Sequence, residues 1–177
     1  MDGYSRQVKA VVPPELASEL AIVDGLALQL VEHIAATRNV IATLHIHGAS
    51  SLAIQNHIAE LLRVKLGFGE EVVLTPQTGF VTQARPDFFY RLAPGRGIIA
   101  EVERGGTTTN NHDLKDVWKA HIAPDAHHLF LVVPRNNWKA DGTPRERPFQ
   151  LVSRRLGAFF GEPRREIDVL SAHVFAY

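Results

Sequence analysis

The chain has 177 residues, 45% of them hydrophobic and 21% charged, and its 19 Lys and Arg balance 19 Asp and Glu. That length suits one domain with a sizeable core, and the composition excludes a disordered chain. Cysteine is absent, which excludes disulfide frameworks, thiolate zinc sites and a cysteine nucleophile.

The N-terminal MDGYSRQVKA has no long apolar run of the signal-peptide kind, and nothing approaches the roughly 18 uninterrupted apolar residues of a membrane span. The expected address is the cytoplasm, with no membrane partner. Pro13-Pro14 marks a helix start, and Leu16, Leu20, Val23, Ala27, Leu30, Val31 and Ile34 follow at helical spacing to about Arg38. Val40, Ala42, Leu44 and Ile46 alternate with Ile41, Thr43, His45 and His47, which predicts a short strand over 40–47. Gly48 to Ser51 predicts a turn and an N-cap for a second helix over 51–66, stopping at Gly67-Phe68-Gly69. A β-rich run follows at Val72 to Thr75, then strands at about 84–92 and 98–104. Asn110 to Asp113 supplies cap residues for a third helix striped by Leu114, Val117, Trp118, His121 and Ile122. Leu129 to Val133 is continuously apolar and suits a strand buried on both faces. A polar loop spans 136–148, a last helix carries Phe149, Val152, Leu156, Phe159 and Phe160, and a closing strand runs over 167–177. The expected organisation is a single domain: an N-terminal helix and strand over 1–48, a core over 49–134, and a basic loop, helix and strand over 135–177.

Charge is uneven despite the zero balance. Between Arg135 and Arg165 eight basic residues face three acids, a surplus of five. Arg145 and Arg147 within this stretch are candidate phosphate contacts, against the simpler reading of a solvated charged face.

The segment Arg85-Pro86-Asp87-Phe88-Phe89-Tyr90-Arg91-Leu92 and the segment Gly97-Ile98-Ile99-Ala100-Glu101-Val102-Glu103-Arg104 flank a Pro-Gly turn, the pattern of a hairpin. Side chains alternate between faces, so Phe88, Tyr90 and Leu92 share a core with Ile98, Ala100 and Val102. A five-residue loop pairs Asp87 with Glu103, and a three-residue loop pairs Asp87 with Glu101. An even loop without a bulge would mix the faces. The apolar pattern therefore puts Asp87, Glu101 and Glu103 on one side. Like charges across a ladder are destabilising and need a cation, a basic neighbour or a raised pKa. Hard oxygen donors favour Mg²⁺ or Mn²⁺. The competing reading is a salt-bridge network with Arg91 and Arg104.

With these residues in place, the chain resembles the PD-(D/E)XK nuclease superfamily, which includes many type II restriction endonucleases. Pro86-Asp87 is similar to its PD pair, and Glu101-Val102-Glu103 to its (D/E)-X-K tripeptide. The likeness covers roughly residues 50 to 134. It implies an α/β fold, a restriction endonuclease-like mixed β-sheet flanked by helices with an αβββαβ core. It also implies metal-dependent hydrolysis of DNA phosphodiester bonds. Asp87 and Glu101 would be metal ligands, joined by Glu60 of the preceding helix, and Glu103 would orient or deprotonate water. Glu103 departs from the family lysine, although some restriction enzymes carry glutamate there. Lys115 and Lys119 of the third helix and the adjacent Arg104 are the candidate replacements, and His112 a candidate phosphate contact. Cutting both strands would suit a homodimer. The glutamate also supports an alternative, a catalytically inactive nuclease fold that binds DNA or a protein.

The remaining histidines carry weaker expectations. His45 and His47 would share a strand face as a metal pair, His127 and His128 would face opposite ways, and His121 would pack in the core. Trp118 is expected in the core, and Trp138 is the better aromatic for a base or partner contact.

Overall fold

The computed structural model describes residues 3–70, 85–161 and 167–177. The β-rich run at Val72 to Thr75 and the start of the strand expected from residue 84 lie outside them. In chain order the elements are β1 (Tyr4–Val8), α1 (Ala17–Ala36), α2 (Arg38–Leu44), α3 (Ser51–Glu60), β2 (Gly69–Glu70), β3 (Phe88–Ala93), β4 (Arg96–Val102), α4 (His112–Ile122), β5 (His128–Val133), β6 (Asn137–Trp138), β7 (Pro144–Glu146), α5 (Pro148–Phe160) and β8 (Ser171–Ala176). A 3-10 turn at Pro14–Leu16 precedes α1, and a π-helical turn at Leu61–Lys65 extends α3.

Six strands form one mixed sheet in the order β1-β8-β5-β4-β3-β2, and β6 and β7 make a separate hairpin. Strands β4, β5 and β8 are parallel, while β1, β2 and β3 pair antiparallel with their neighbours. Two cores flank the sheet. Leu30 and Ile34 of α1, Ile41 of α2 and Ile54 and Ile58 of α3 pack on Phe88, Ile98, Ala100 and Phe130. Val117 and Ala120 of α4 and Val152 and Leu156 of α5 pack on Phe89, Ile99, Leu129 and Leu131. The fold is thus a mixed α/β sandwich with helices on both faces. Strand β5 is buried along its whole length, as its continuous apolar run predicts. The stripe expected on α1 is also the one that is buried: Leu20, Val23, Ala27, Leu30 and Ile34. Ser50 caps α3 by accepting a hydrogen bond from the Leu52 amide at 3.2 Å.

Several expectations are corrected. Residues 38–44 are helical, not a strand. Helical spacing turns Ile41 and His45 inward one turn apart, while Val40 and Ile46 of the alternating set are exposed. Strand β1 carries no alternation strong enough to have announced it, and its residues are only half-buried. The loop over 136–148 contains the β6–β7 hairpin. On α4 the buried face is Asp113, Asp116, Val117 and Ala120, so Trp118 is 52% exposed and His121 is exposed as well. The helix is rotated to point acids, not its tryptophan, toward the sheet. No single described helix is long and apolar enough to cross a membrane; α1 and α2 meet that test only as a pair bent by 69°.

Candidate functional site

The acids are placed by the β3–β4 hairpin. Phe88 pairs with Ala100, Phe89 with Ile99, Tyr90 with Ile98 and Arg91 with Gly97. Ala93 pairs with Arg96 around the Pro94-Gly95 turn, where Gly95 adopts φ +67°, a conformation that L side chains avoid. That two-residue turn alone would mix the faces. An irregularity between Arg91 and Ala93 absorbs one residue and restores the register. Continued one residue, this register sets Asp87 opposite Glu101, the shorter of the two pairings that the sequence allows.

Hydrogen bonds fix the pair. The Asp87 amide donates to Glu101 Oε2 at 3.4 Å, and the Val102 amide donates to Asp87 Oδ2 at 3.0 Å. Glu101 is 3% exposed, beneath α4. Lys119 reaches in from α4 and donates to Glu101 Oε1 at 2.5 Å, with Asp116 Oδ1 at 3.3 Å. Burial pushes the Glu101 carboxyl up to about 7, against the Lys119 charge, and the Asp87 charge adds to the rise. Asp116 is raised well above the usual carboxylate range by burial and then by Glu101. Lys119 is itself raised, because the two carboxylates outweigh its burial. Glu103 lies just past β4, where its amide extends the ladder to the Val132 carbonyl at 2.8 Å. Its Oε2 is 2.9 Å from His112 Nδ1, and its carbonyl accepts from Tyr177 Oη at 3.0 Å.

This arrangement opens into a cleft of about 650 Å³ whose walls include Asp87, Glu103, His112, Arg104, Arg145 and Gln55. It lies beyond the carboxyl end of β4, the usual place for a ligand in an open α/β sheet. The structure therefore puts Asp87, Glu103, His112 and Arg145 in the walls of one cleft, and ties Glu101 and Lys119 behind Asp87 without bringing them to that wall. Glu60 is exposed at the end of α3, where its charge acts on His33, and it does not line the cleft. Lys115 and Arg147 are exposed and do not line it either. The arginines do not neutralise the acids. Arg91 lies over the Phe89 ring at 5.6 Å, and Arg104 donates to the Ile46 carbonyl at 3.0 Å. Asp116 was missed by the sequence reading. Its signal was the i, i+3 spacing to Lys119, which places both on one helix face.

The other histidines have different partners from those expected. His45 donates from Nε2 to the Asn136 carbonyl at 2.7 Å, and His47 bonds through Nδ1 to the Trp138 carbonyl at 3.0 Å, so they form no metal pair. His121 Nδ1 accepts from the Asp168 amide at 3.0 Å. His128 joins a buried relay across the sheet: Tyr4 Oη to His173 Nδ1 at 2.7 Å, His173 Nε2 to Ser171 Oγ at 3.1 Å, Ser171 Oγ to His128 Nδ1 at 2.6 Å, and His128 Nε2 to Glu19 at 2.8 Å. The order Ser171, His128, Glu19 has the composition of a hydrolytic triad. Ser171 and His128 are fully buried and line none of the described cavities, so the relay is a structural tie.

No family model matches the chain, and no curated protein matches it. Among the described residues no group of three or more His, Asp or Glu side chains is gathered as a metal site. The carboxylates are held instead by amides, Lys119 and His112. Mg²⁺ does not need an all-protein cage: it keeps several waters and takes one or two carboxylates plus substrate phosphate. Asp87 and Glu101 are the two paired carboxylates here; Lys119 and the Asp87 amide engage both Glu101 oxygens, and of the two only Asp87 lines the cleft.

Proposed function

We propose that the protein is a metal-dependent endonuclease that hydrolyses DNA phosphodiester bonds, with the αβββαβ core of the PD-(D/E)XK restriction endonuclease-like superfamily. The observation that carries this reading is the pairing of Asp87 with Glu101 across the β3–β4 hairpin, under Lys119 and at the edge of a cleft. Elements α3, β2, β3, β4, α4 and β5 follow the order that the resemblance implies.

Asp87 and Glu101 would hold Mg²⁺ or Mn²⁺, which supplies charge stabilisation at the phosphoryl oxygens. Lys119 keeps Glu101 oriented and offsets part of the repulsion among the acids. It brings to this site the positive charge that the family pattern has at position 103. Glu103, held by His112, orients the attacking water and takes its proton as the oxygen bonds to phosphorus and the bond to the leaving oxygen breaks. Arg104 and Arg145 supply positive charge at the cleft rim for neighbouring phosphates.

A second reading, a nuclease fold that binds nucleic acid or a protein without cutting, draws on the absence of a gathered three-ligand group among the described residues. Plasmid DNA incubated with purified protein in Mg²⁺ or Mn²⁺ separates the two. Nicking or linearisation that disappears with Asp87→Ala supports the nuclease, and binding with no cleavage under either ion supports the second.

A further inference from the structure

A second cavity, also about 650 Å³, adjoins the acidic cleft. The two share His45, Ile46, His47 and Trp138 in their walls. The floor of this cavity is apolar, built from Val31 and Ile34 of α1, Ile41 of α2 and Phe175 of β8. Tyr177 and Asn136 place it past the carboxyl ends of β8 and β5, at the same end of the sheet as the cleft. Arg38, Arg135 and Lys139 are among its lining residues, and no lining residue is acidic.

The dividing wall is fastened on both sides. His45 and His47 bond the Asn136 and Trp138 carbonyls, and Arg104 holds the Ile46 carbonyl. Because His45 Nε2 donates to a carbonyl, its Nδ1 is the ring acceptor. That atom is buried and has no partner, on a side chain only 9% exposed. Burial also lowers the His45 pKa, which keeps the ring neutral and the acceptor intact.

We propose that this cavity takes the base of a nucleotide unit, with Trp138 against the ring and the phosphate on Arg38 and Lys139. The size and lining suit a flat, mostly apolar group carrying an anion. A base offers apolar faces for the floor and for Trp138, and its phosphate suits a rim that has cations and no acid. For the source of the nucleotide, the inference rests on the nucleic-acid reading above: a base turned out of a strand whose phosphate lies in the neighbouring cleft would enter here.

The test reads Trp138 directly. The chain has two tryptophans, and Trp118→Phe on an exposed helix face leaves Trp138 as the reporter. Deoxyadenosine, thymidine and their 5′-monophosphates, and inorganic phosphate, are titrated in turn. Saturable quenching by the monophosphates is expected, with the nucleosides and phosphate at least about tenfold weaker, the effect of losing one set of contacts. Ala42→Phe narrows the cavity from an exposed helix position and should weaken the monophosphates by about tenfold or more. An unchanged melting temperature would show that the variant is folded. Displacement of the monophosphate by a short oligonucleotide assigns the base to a strand; saturable binding that the oligonucleotide does not displace assigns it to free nucleotide. No saturable change at millimolar monophosphate, or equal affinity in folded Ala42→Phe, overturns the proposal. Cleavage is scored separately on plasmid. Nucleotide binding without cleavage would sink the nuclease reading alone, and cleavage without nucleotide binding would sink this inference alone.

Discussion

The Lys119 ammonium lies 2.5 Å from Glu101 Oε1, and the same nitrogen lies 3.3 Å from Asp116 Oδ1. One cation from α4 therefore serves two buried carboxylates that belong to different elements. This contact couples the packing of α4 to the chemistry of β4.

Removing that cation should be costly. Lys119→Met leaves Glu101 and Asp116 buried without compensation, and a loss of about 3 kcal/mol is expected, the scale for breaking a buried ion pair from one side. Adding Glu101→Gln should recover a large part, because one of the stranded charges is then gone. Urea denaturation of the two single variants and the double variant in metal-free buffer gives the coupling. Additive effects would mean that the contact carries no stability.

The turn register should be equally sensitive. A Cβ at Gly97 would overlap the Phe89 ring and would come within 2.6 Å of the Tyr90 carbonyl. Gly97→Ala should lower stability by about 2 kcal/mol, the cost of overpacking a closed site. It should also disturb the Asp87–Glu101 pair, since the register sets them opposite each other. A thermal melt unchanged from wild type would contradict the observed register.

Much of this arrangement was legible in the sequence. The alternation of Phe88, Tyr90, Ile98, Ala100 and Val102 was enough to put the acids on one face, because a register slip would have exposed the core set. The choice between the two pairings was not legible. It depends on an irregularity near Leu92 that has no composition signal. The 40–47 segment misled because the alternating set passed over Ile41 and His45, whose i, i+4 spacing makes the one face that the helix buries. Glu60 was expected in the site from the resemblance alone, yet α3 presents Gln55 and Ser51 to the cleft. The rotation of α4 hid Asp116, since buried acids break the apolar stripe by which a helix face is recognised.

Acid should unfold the protein through the sheet-crossing relay. Burial holds His128 down at about 4, despite its hydrogen bond to Glu19, and holds His173 down at about 3. Both are neutral in the fold and take up protons near 6.5 when unfolded. Their contribution is complete above about pH 6.5 and is lost as pH falls toward the folded values, by about 2 kcal/mol per histidine at pH 5. Glu19, lowered to about 2 chiefly by Arg96, adds a loss that starts below about 4.5. Urea midpoints from pH 7.5 down to 5 should decline, and His173→Phe should flatten the slope. Stability that stays level over that range would contradict the buried neutral relay.

Arg145 and Arg147 are close in sequence but not equivalent in space, because only Arg145 lines the cleft. Arg145→Ala should weaken DNA binding and reduce the slope of log affinity against log salt by about 1, the loss of one phosphate contact. Arg147→Ala should change the slope less. Equal effects from the two variants would place the nucleic acid on the α5 surface and not in the cleft.

The most direct test of the account is cleavage by Glu103→Gln beside wild type, on plasmid DNA in Mg²⁺ and in Mn²⁺. The variant keeps the shape and removes the base held by His112. Wild type should cut, and the variant should cut slower by about a hundredfold or more, the scale of a general base, with DNA affinity retained. Wild type that binds DNA but cuts under neither ion, or a variant that cuts as fast as wild type, would contradict it.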